Sequence, residues 1–196
     1  MILETNHKSV IEYIRMRGHA SYSSLKMLRD GGTPGVYKKA LHFDIGTELH
    51  ARWLEKQKPK KFDKPVEEVI SGMYSSLNRD KVATILLKGA QVEYEFTQPL
   101  YGVTVHGFVD ILPPKVLIGD LKTTALNSRS SFIGSMDFLQ AALYLNVMAR
   151  KDFYYIGVSK VKPYQVFTFR VSDYPARLKQ AQGELKELLT YVKTKL

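Results

Sequence analysis

The chain of 196 residues is basic and contains no cysteine, with 29 Lys and Arg residues against 19 Asp and Glu residues and a net charge of +10. The lack of cysteine excludes disulfides, thiolate metal sites, cysteine nucleophiles and cysteine-bound iron–sulfur clusters, so oxygen or imidazole must bind any metal. Oxygen ligands favour magnesium, calcium or manganese, and the positive charge predicts a polyanionic partner, most commonly nucleic acid.

The hydrophobic fraction of 44% supports one domain with a core of its own, which we expect to span residues 1–196. Charges interrupt the apolar runs well short of the length of a membrane span. The opening "MILETNHKSV" does not have the pattern of a secretory signal. We therefore predict a cytoplasmic protein with no membrane partner.

Helical periodicity dominates the chain up to Gly89. A short helix with serines before it and a glycine pair after it is predicted for "SYSSLKMLRDGG". A second is predicted for "FDIGTELHARWLEKQ", in which Ile45, Leu49 and Trp53 share one face. One or two further helices are predicted for "PVEEVISGMYSSLNRDKVATILL".

After Gly89 the period changes to two, and turn residues separate "QVEYEF", "GVTVHGFVDIL" and "KVLIGDLKT". This pattern predicts a meander of antiparallel strands. A helix over "MDFLQAALYLNVMAR", strands over "DFYYIGVSK" and "YQVFTFRV", and an amphipathic helix from Ser172 onward complete the prediction. The fold class is α/β (α+β), with a central mixed sheet flanked by helices.

The stretch "LIGDLKTT" raises the question of function, because Asp120 and Lys122 lie on one face of a predicted strand. If the preceding turn is the three residues Pro113 to Lys115, Leu112 lies opposite Val116 and Asp110 joins the same face. A two-residue turn reverses the parity and separates the acids. The spacing leaves both geometries open.

Two carboxylates a few Å apart repel each other unless a cation lies between them, and a divalent ion there can bind a phosphate oxygen and a water. A neighbouring lysine can orient that water or offset transition-state charge. Glu93 or Glu95 would supply a third acid, and periodicity does not choose between them. Each of these residues also has an interpretation without a site. Asp120 and Lys122 would form an exposed ion pair, and His50 would bind no metal. Gln140 and Tyr144 would form a polar edge of a helix, and "KQKPKKFDK" would be a solvated loop.

The order of the motifs favours the site. "GTELH", "VEYEF", "GFVD", "GDLK" and "QAALY" follow one another along the chain. This order resembles the RecB-like branch of the PD-(D/E)XK nucleases, which have a restriction-endonuclease-like fold. The segment "SSLKMLRDGGTPGVYKKAL" is also similar to the leading helix of exonuclease VIII and the phage recombination nucleases.

The resemblance implies a role for each matching residue. Asp110, Asp120 and the main-chain carbonyl of Leu121 would bind Mg²⁺ or Mn²⁺, and Lys122 would position or activate the water. His50 would add a ligand, and Glu93, with Glu95 as the alternative acid, would bind at the far side. Gln140 and Tyr144 would brace the site and contact the DNA backbone. The positive ramp for DNA would be formed by Lys56, Lys58, Lys60, Lys61 and Lys64.

The implied activity is a metal-dependent DNA exonuclease that acts on single- or double-stranded ends in recombination, repair or phage DNA processing, in a bacterial or phage context. The cysteines that hold an iron–sulfur cluster in many RecB-like relatives are missing, so no cluster is expected. The resemblance is compatible with a helicase or recombination partner and with a homo-oligomer. His106 matches no motif and is interpreted as a further phosphate contact or a rim residue, of which the rim residue is favoured. The alternative function is a nuclease fold kept as a DNA-binding or assembly module without turnover.

Overall fold

The computed structural model describes the backbone of residues 2–34, 41–114 and 117–196, and the side chains of these residues except 2–5 and 41–43. The helices are α1 (Ile2–Arg17), α2 (Tyr22–Asp30), α3 (Leu41–Trp53), α4 (Lys64–Arg79), α5 (Lys81–Leu87), α6 (Arg129–Ser135), α7 (Phe138–Val147) and α8 (Pro175–Lys195). The strands are β1 (Gln91–Leu100), β2 (Val103–Leu112), β3 (Leu117–Thr124), β4 (Asp152–Ser159) and β5 (Val166–Arg170). Within these ranges, no helix is long and apolar enough to cross a membrane.

The five strands form one mixed sheet in the order β1-β2-β3-β4-β5. The pairs β1–β2, β2–β3 and β4–β5 are antiparallel, whereas β3 and β4 are parallel and run in register from Leu117–Asp152 to Thr124–Ser159. Helices α6 and α7 make the crossover that two parallel strands require. The predicted fold class, with its antiparallel meander, is confirmed.

Apolar residues are buried on both faces of the sheet. The first core cluster joins α1, α2, α7 and α8 to one face, and the second joins α3, α4 and α5 to the other. Because β3 and β4 contribute to both clusters, their sequences are apolar almost throughout. A polar residue inside these strands, such as Asp120, therefore needs a specific partner.

Local signals set the helix ends as expected in the α2 region. The hydroxyl oxygen of Ser21 accepts from the backbone N–H of Ser24, and Gly31 closes the helix in a left-handed conformation at φ 70°. Asp80 separates α4 from α5, because its side chain accepts from the N–H of Ala83 and caps the second helix. The segment predicted as one or two helices is therefore two.

The sequence prediction misplaces helix ends and misses one helix. The helix predicted from Ser172 onward begins at Pro175, after a 3₁₀ helix over Val171–Asp173. The helix predicted to run to Gln57 ends at Trp53, because the backbone has turned to a positive φ of 56° by Lys56. Helix α6 was not predicted, since its sequence "RSSFIGS" has no amphipathic period. The expected pairing of Leu112 with Val116 falls on a residue outside the described ranges, while Ile111 pairs with Gly119.

Candidate active site

The site forms where β2 and β3 diverge, just beyond the pair of Ile111 with Gly119. Past this pair, a side chain replaces the strand partner: the backbone N–H of Leu121 donates to Oδ2 of Asp110 at 2.7 Å. The carbonyl oxygen of Leu121 lies 3.0 Å from Nε2 of His50. The N–H and the C=O of Leu121 thus both point into the opening between the strands, and the binding of a metal by its carbonyl stays a prediction.

The alternation of side chains along β2 shifts at Asp110. Val109 packs in the first core cluster and Ile111 in the second, although residues two apart in a regular strand share a face. On β1, Glu93 has a positive φ of 48° between Val92, which packs against the second cluster, and Tyr94. The irregularity in each strand thus lies at or next to the acid, Asp110 on β2 and Glu93 on β1.

His50, Glu93 and Asp110 converge on one point. Nδ1 of His50 lies 3.5 Å from Oε1 of Glu93 and 3.9 Å from Oδ2 of Asp110. One ligand atom from each residue lies within 4.8 Å of the others. An imidazole and two carboxylates are a donor set that suits a divalent metal ion.

Gly46 explains how α3 brings His50 to this point. A Cβ at Gly46 would lie 3.1 Å from Oγ1 of Thr123, so glycine permits α3 to approach β3 closely. His50 follows one helical turn later on the same face. The glycine of "GTELH" therefore positions the histidine of the same motif.

Asp120 lies beneath this cluster, with only 1% of its surface exposed. Its Oδ1 accepts from Nε2 of Gln140 at 2.7 Å, and its Oδ2 is 2.7 Å from Nζ of Lys122. Partners thus hold both oxygens of this buried carboxylate in place. The donors that converge on one point are the imidazole of His50 and the carboxylates of Glu93 and Asp110, and this set fits the divalent metal that the resemblance implies.

The charges of the site act on one another. Burial and the charge of Asp120 raise the pKa of Asp110 to about 7, although His50 and Lys122 oppose the rise. Burial lowers the pKa of His50, but Glu93, Asp110 and Asp120 outweigh it, so that the net shift is upward. The pKa of Lys122 is also raised, because the attraction of Asp120 and Asp110 exceeds the effect of burial. The acids therefore repel one another, and a bound cation would reduce this repulsion.

The side chains of the two candidate acids on β1 have different neighbours. Glu93 joins His50 and Asp110, whereas Oε1 of Glu95 lies 2.9 Å from Nε2 of His106. Glu93 is therefore the acid that the structure brings to the cluster. Asp120 is close by but is not one of the three clustered residues.

Helix α7 supports the site from the first core cluster. Gln140 holds Asp120, and Tyr144 packs its ring against Phe96 at 5.5 Å in an edge-on contact. Both Gln140 and Tyr144 are 6% exposed. The bracing role and the contact with DNA that the resemblance implies for them stay predictions.

The lysine-rich loop is anchored by a buried ion network. Glu48, which is 2% exposed, accepts from Nε of Arg52 at 2.7 Å and from the backbone N–H of Lys60 at 2.8 Å. Arg52 also binds both carboxylate oxygens of Glu67 and donates to the carbonyl of Lys60. The ammonium of Lys56 donates to the carbonyl of Trp53 and so caps the end of α3.

An open cleft of about 590 Å³ lies over the cluster, and Lys60 is one of its walls. Lys58, Lys61 and Lys64 are exposed on or beside the same loop. Lys160 lines the opposite part of the cleft and was not predicted. Its backbone N–H donates to the carbonyl of Thr124 at 2.7 Å, so the parallel pairing of β3 and β4 brings it there.

Comparison with solved structures agrees with this architecture. The chain is similar to a protein from Eubacterium rectale described as an exonuclease, with 18% sequence identity, a TM-score of 0.66, and coverage of 95% of this chain and 85% of that one. An alkaline exonuclease from Laribacter hongkongensis gives 14% identity over 94% of this chain and 96% of that one, with a TM-score of 0.40. A phage-related exonuclease from Haemophilus somnus has 13% sequence identity, with coverage of 88% of this chain and 96% of that one and a TM-score of 0.39.

The last two TM-scores are too low to support an argument, and the first establishes a shared fold. No protein-family model matches the sequence, and no curated protein does. The fold shared with the protein from Eubacterium rectale, an α/β domain with a mixed sheet between helical layers, is the fold class that the sequence predicts.

Proposed function

We propose that this chain is a metal-dependent deoxyribonuclease, and that residues 1–196 form one nuclease domain. The observation that carries the proposal is the convergence of His50, Glu93 and Asp110 beside the buried pair of Asp120 and Lys122. An exposed Asp–Lys pair, the simplest alternative, does not account for an acid that is almost completely buried. Nor does it account for a histidine and two more acids at the same opening.

The proposed ligands of Mg²⁺ or Mn²⁺ are His50, Glu93, Asp110, Asp120 and the carbonyl of Leu121. A bound ion there would neutralise the acids and polarise a phosphate oxygen and a water. Lys122 is half-buried at the edge of the cleft with its ammonium held by Asp120. From that position it orients the attacking water or donates to a phosphate oxygen as negative charge develops. In the proposed reaction, water adds to phosphorus and the bond to the 3′ oxygen breaks, which leaves a 5′-phosphate and a 3′-hydroxyl.

DNA is the proposed substrate, in single- or double-stranded form. The net charge of +10 and the lysines around the cleft favour a nucleic-acid backbone. Cleavage from an end is the proposed mode, because the structural neighbour with the shared fold is described as an exonuclease. A cytoplasmic role in recombination, repair or phage DNA processing completes the proposal.

The test is cleavage of end-labelled linear duplex, linear single strands and closed circles with Mg²⁺, Mn²⁺ or chelator. Lys122→Ala is the inactive variant, and Lys186→Ala, an exposed lysine of α8, is the matched control. We expect metal-dependent loss of linear label with the protein and with Lys186→Ala, no cleavage by Lys122→Ala, and intact circles. Cut circles would make the enzyme an endonuclease. Binding of DNA without cleavage under every metal condition would support the module without turnover instead.

A further inference from the structure

A large aromatic side chain is exposed next to the proposed site. Phe108 of β2 lies two residues before Asp110, and 46% of its surface is exposed. A phenylalanine normally buries its ring in the core. Phe108 does not, and nothing in the proposed chemistry so far uses it.

The direction of Phe108 follows from its neighbours in the strand. Val109 packs in the first core cluster, and a Cβ on Gly107 would lie 2.9 Å from the ring of Phe96 in the same cluster. Because side chains alternate, Phe108 lies on the other face of the sheet. This is the face of α3, from which His50 and Asp110 line the cleft.

The ring of Phe108 has a support of its own. His106 contacts it edge-on, with ring centroids 5.3 Å apart, and the ring centroid of His19 lies 4.6 Å from that of His106. Oε1 of Glu95 lies 2.9 Å from Nε2 of His106 and holds the imidazole ring in place. The His19 end is tied to β2 by the backbone bonds of Ala20 with Thr104 and His106. These contacts form a row of rings that ends at Phe108.

We infer that Phe108 is a stacking surface for the base of a nucleotide adjacent to the scissile phosphate, with His106 as its support. The inference rests on the proposed nuclease function. Two residues of strand span about 6.6 Å, so Phe108 is within about one nucleotide of the acids. Stacking on an aromatic ring is sequence-tolerant because every base has a π-face. The base must have a free face, which points to a single strand or to the terminal base of an end.

The test uses Lys122→Ala as the parent protein, so that DNA is bound with Mg²⁺ and not cleaved. Affinity is measured for a short single-stranded oligonucleotide, and for versions with an abasic site at each of the terminal nucleotides in turn, at either end. Phe108→Ala, Phe108→Leu and Phe108→Trp are made in this parent. Tyr101→Ala is the matched control, because Tyr101 is 41% exposed at the far turn of the same hairpin.

We expect Phe108→Ala to weaken binding of the intact oligonucleotide about 10-fold, a typical loss for one stacked base. Phe108→Leu should lose nearly as much, Phe108→Trp should retain affinity, and Tyr101→Ala should match the parent. At one position, an abasic site should weaken binding to the parent by a similar factor and leave Phe108→Ala unchanged. This coupling separates stacking from general damage, and thermal unfolding checks that every variant is folded.

Equal affinity of Phe108→Ala and the parent would overturn the inference while the nuclease proposal stood. So would a loss of affinity without coupling to any abasic position, or recovery of full affinity by leucine. If the protein with Lys122 intact neither cleaves nor binds DNA, the proposed function itself fails, and the inference fails with it.

Discussion

The carboxylate of Asp110 and the backbone N–H of Leu121 are joined by a hydrogen bond of 2.7 Å across the point where β2 and β3 diverge. One side chain thereby serves two purposes. It satisfies a backbone donor that the sheet no longer pairs, and it brings a negative charge to His50 and Glu93. The two purposes can be separated by substitution.

Asp110→Asn retains an oxygen that accepts from Leu121 but removes the charge. We expect it to abolish cleavage, because a proposed metal ligand is neutralised. In chelator at pH 8 we expect the melting temperature to rise by about 2–4 °C, equivalent to roughly 1 kcal/mol, since burial and Asp120 disfavour the ionised form of Asp110. Asp110→Ala is the control: it leaves the N–H of Leu121 unpaired and should lose about 1–3 kcal/mol. An equal decrease in the melting temperature of both variants would contradict this account.

Glu93 and Glu95 are two residues apart but differ in their neighbours. Because Glu93 belongs to the cluster with His50 and Asp110, Glu93→Gln should raise the Mg²⁺ concentration for half-maximal cleavage at least about 10-fold. Glu95→Gln should leave the half-maximal concentration unchanged, since Glu95 contacts His106. The measurement is cleavage rate against Mg²⁺ concentration for both variants. A shift with Glu95→Gln and none with Glu93→Gln would reverse the assignment.

Gln140 acts on the site through Asp120, whose Oδ1 it holds at 2.7 Å. Gln140→Leu has a similar volume and no donor, so the buried carboxylate loses its positioning. We expect kcat or metal affinity to fall about 10–100-fold, as is usual when a ligand loses its outer partner, with little change in the KM for DNA. Asn146→Ala, at the end of the same helix, should behave as the unsubstituted protein. A rise in KM alone would instead mean that Gln140 contacts the substrate.

Asp137 links α2 to α7 and gives a stability effect that depends on pH. It accepts from Arg29 through both oxygens and from the hydroxyl of Tyr22. Burial raises its pKa, but the hydrogen bonds from Arg29, Leu139 and Tyr22 outweigh this and hold the pKa below the usual 3.8. A depressed pKa contributes stability above 3.8 that is lost as the pH falls below it.

Asp137→Asn still caps α7 but loses the charge. We expect it to unfold in urea with about 1–3 kcal/mol less stability at pH 7. The difference should persist at pH 5 and shrink as the pH falls below 3.8, where the unsubstituted protein begins to protonate Asp137. A difference that is constant from pH 7 to pH 3 would show that the charge of Asp137 is not responsible.

The sequence predicts much of the site and misses the parts that depend on irregular backbone. Motif order identified His50, Asp110, Asp120, Lys122 and Gln140, all of which lie in or directly beneath the cleft. Strand periodicity does not choose Glu93 over Glu95, because residues two apart share a face of a regular strand. Their neighbours differ in the structure, where Glu93 has a positive φ that no periodicity predicts. Lys160 lies outside every motif, 16 residues beyond the end of "QAALY", and reaches the cleft through the parallel pairing of β4 with β3. Long-range pairing of this kind leaves no local signal.

Lys60 provides a test of the predicted path for DNA. The buried Glu48 and Arg52 hold the backbone of Lys60, so its exposed side chain is presented at the cleft wall from a fixed point. If it contacts one phosphate, Lys60→Ala should weaken binding of every DNA sequence alike. It should also reduce the slope of log affinity against log salt concentration by about 1. Lys186→Ala, on α8, should leave the slope unchanged. Because Lys60→Ala does not touch the anchoring contacts, its melting temperature should equal that of the unsubstituted protein. A loss of affinity with an unchanged salt slope would mean that Lys60 does not contact a phosphate and that its side chain affects DNA binding in another way.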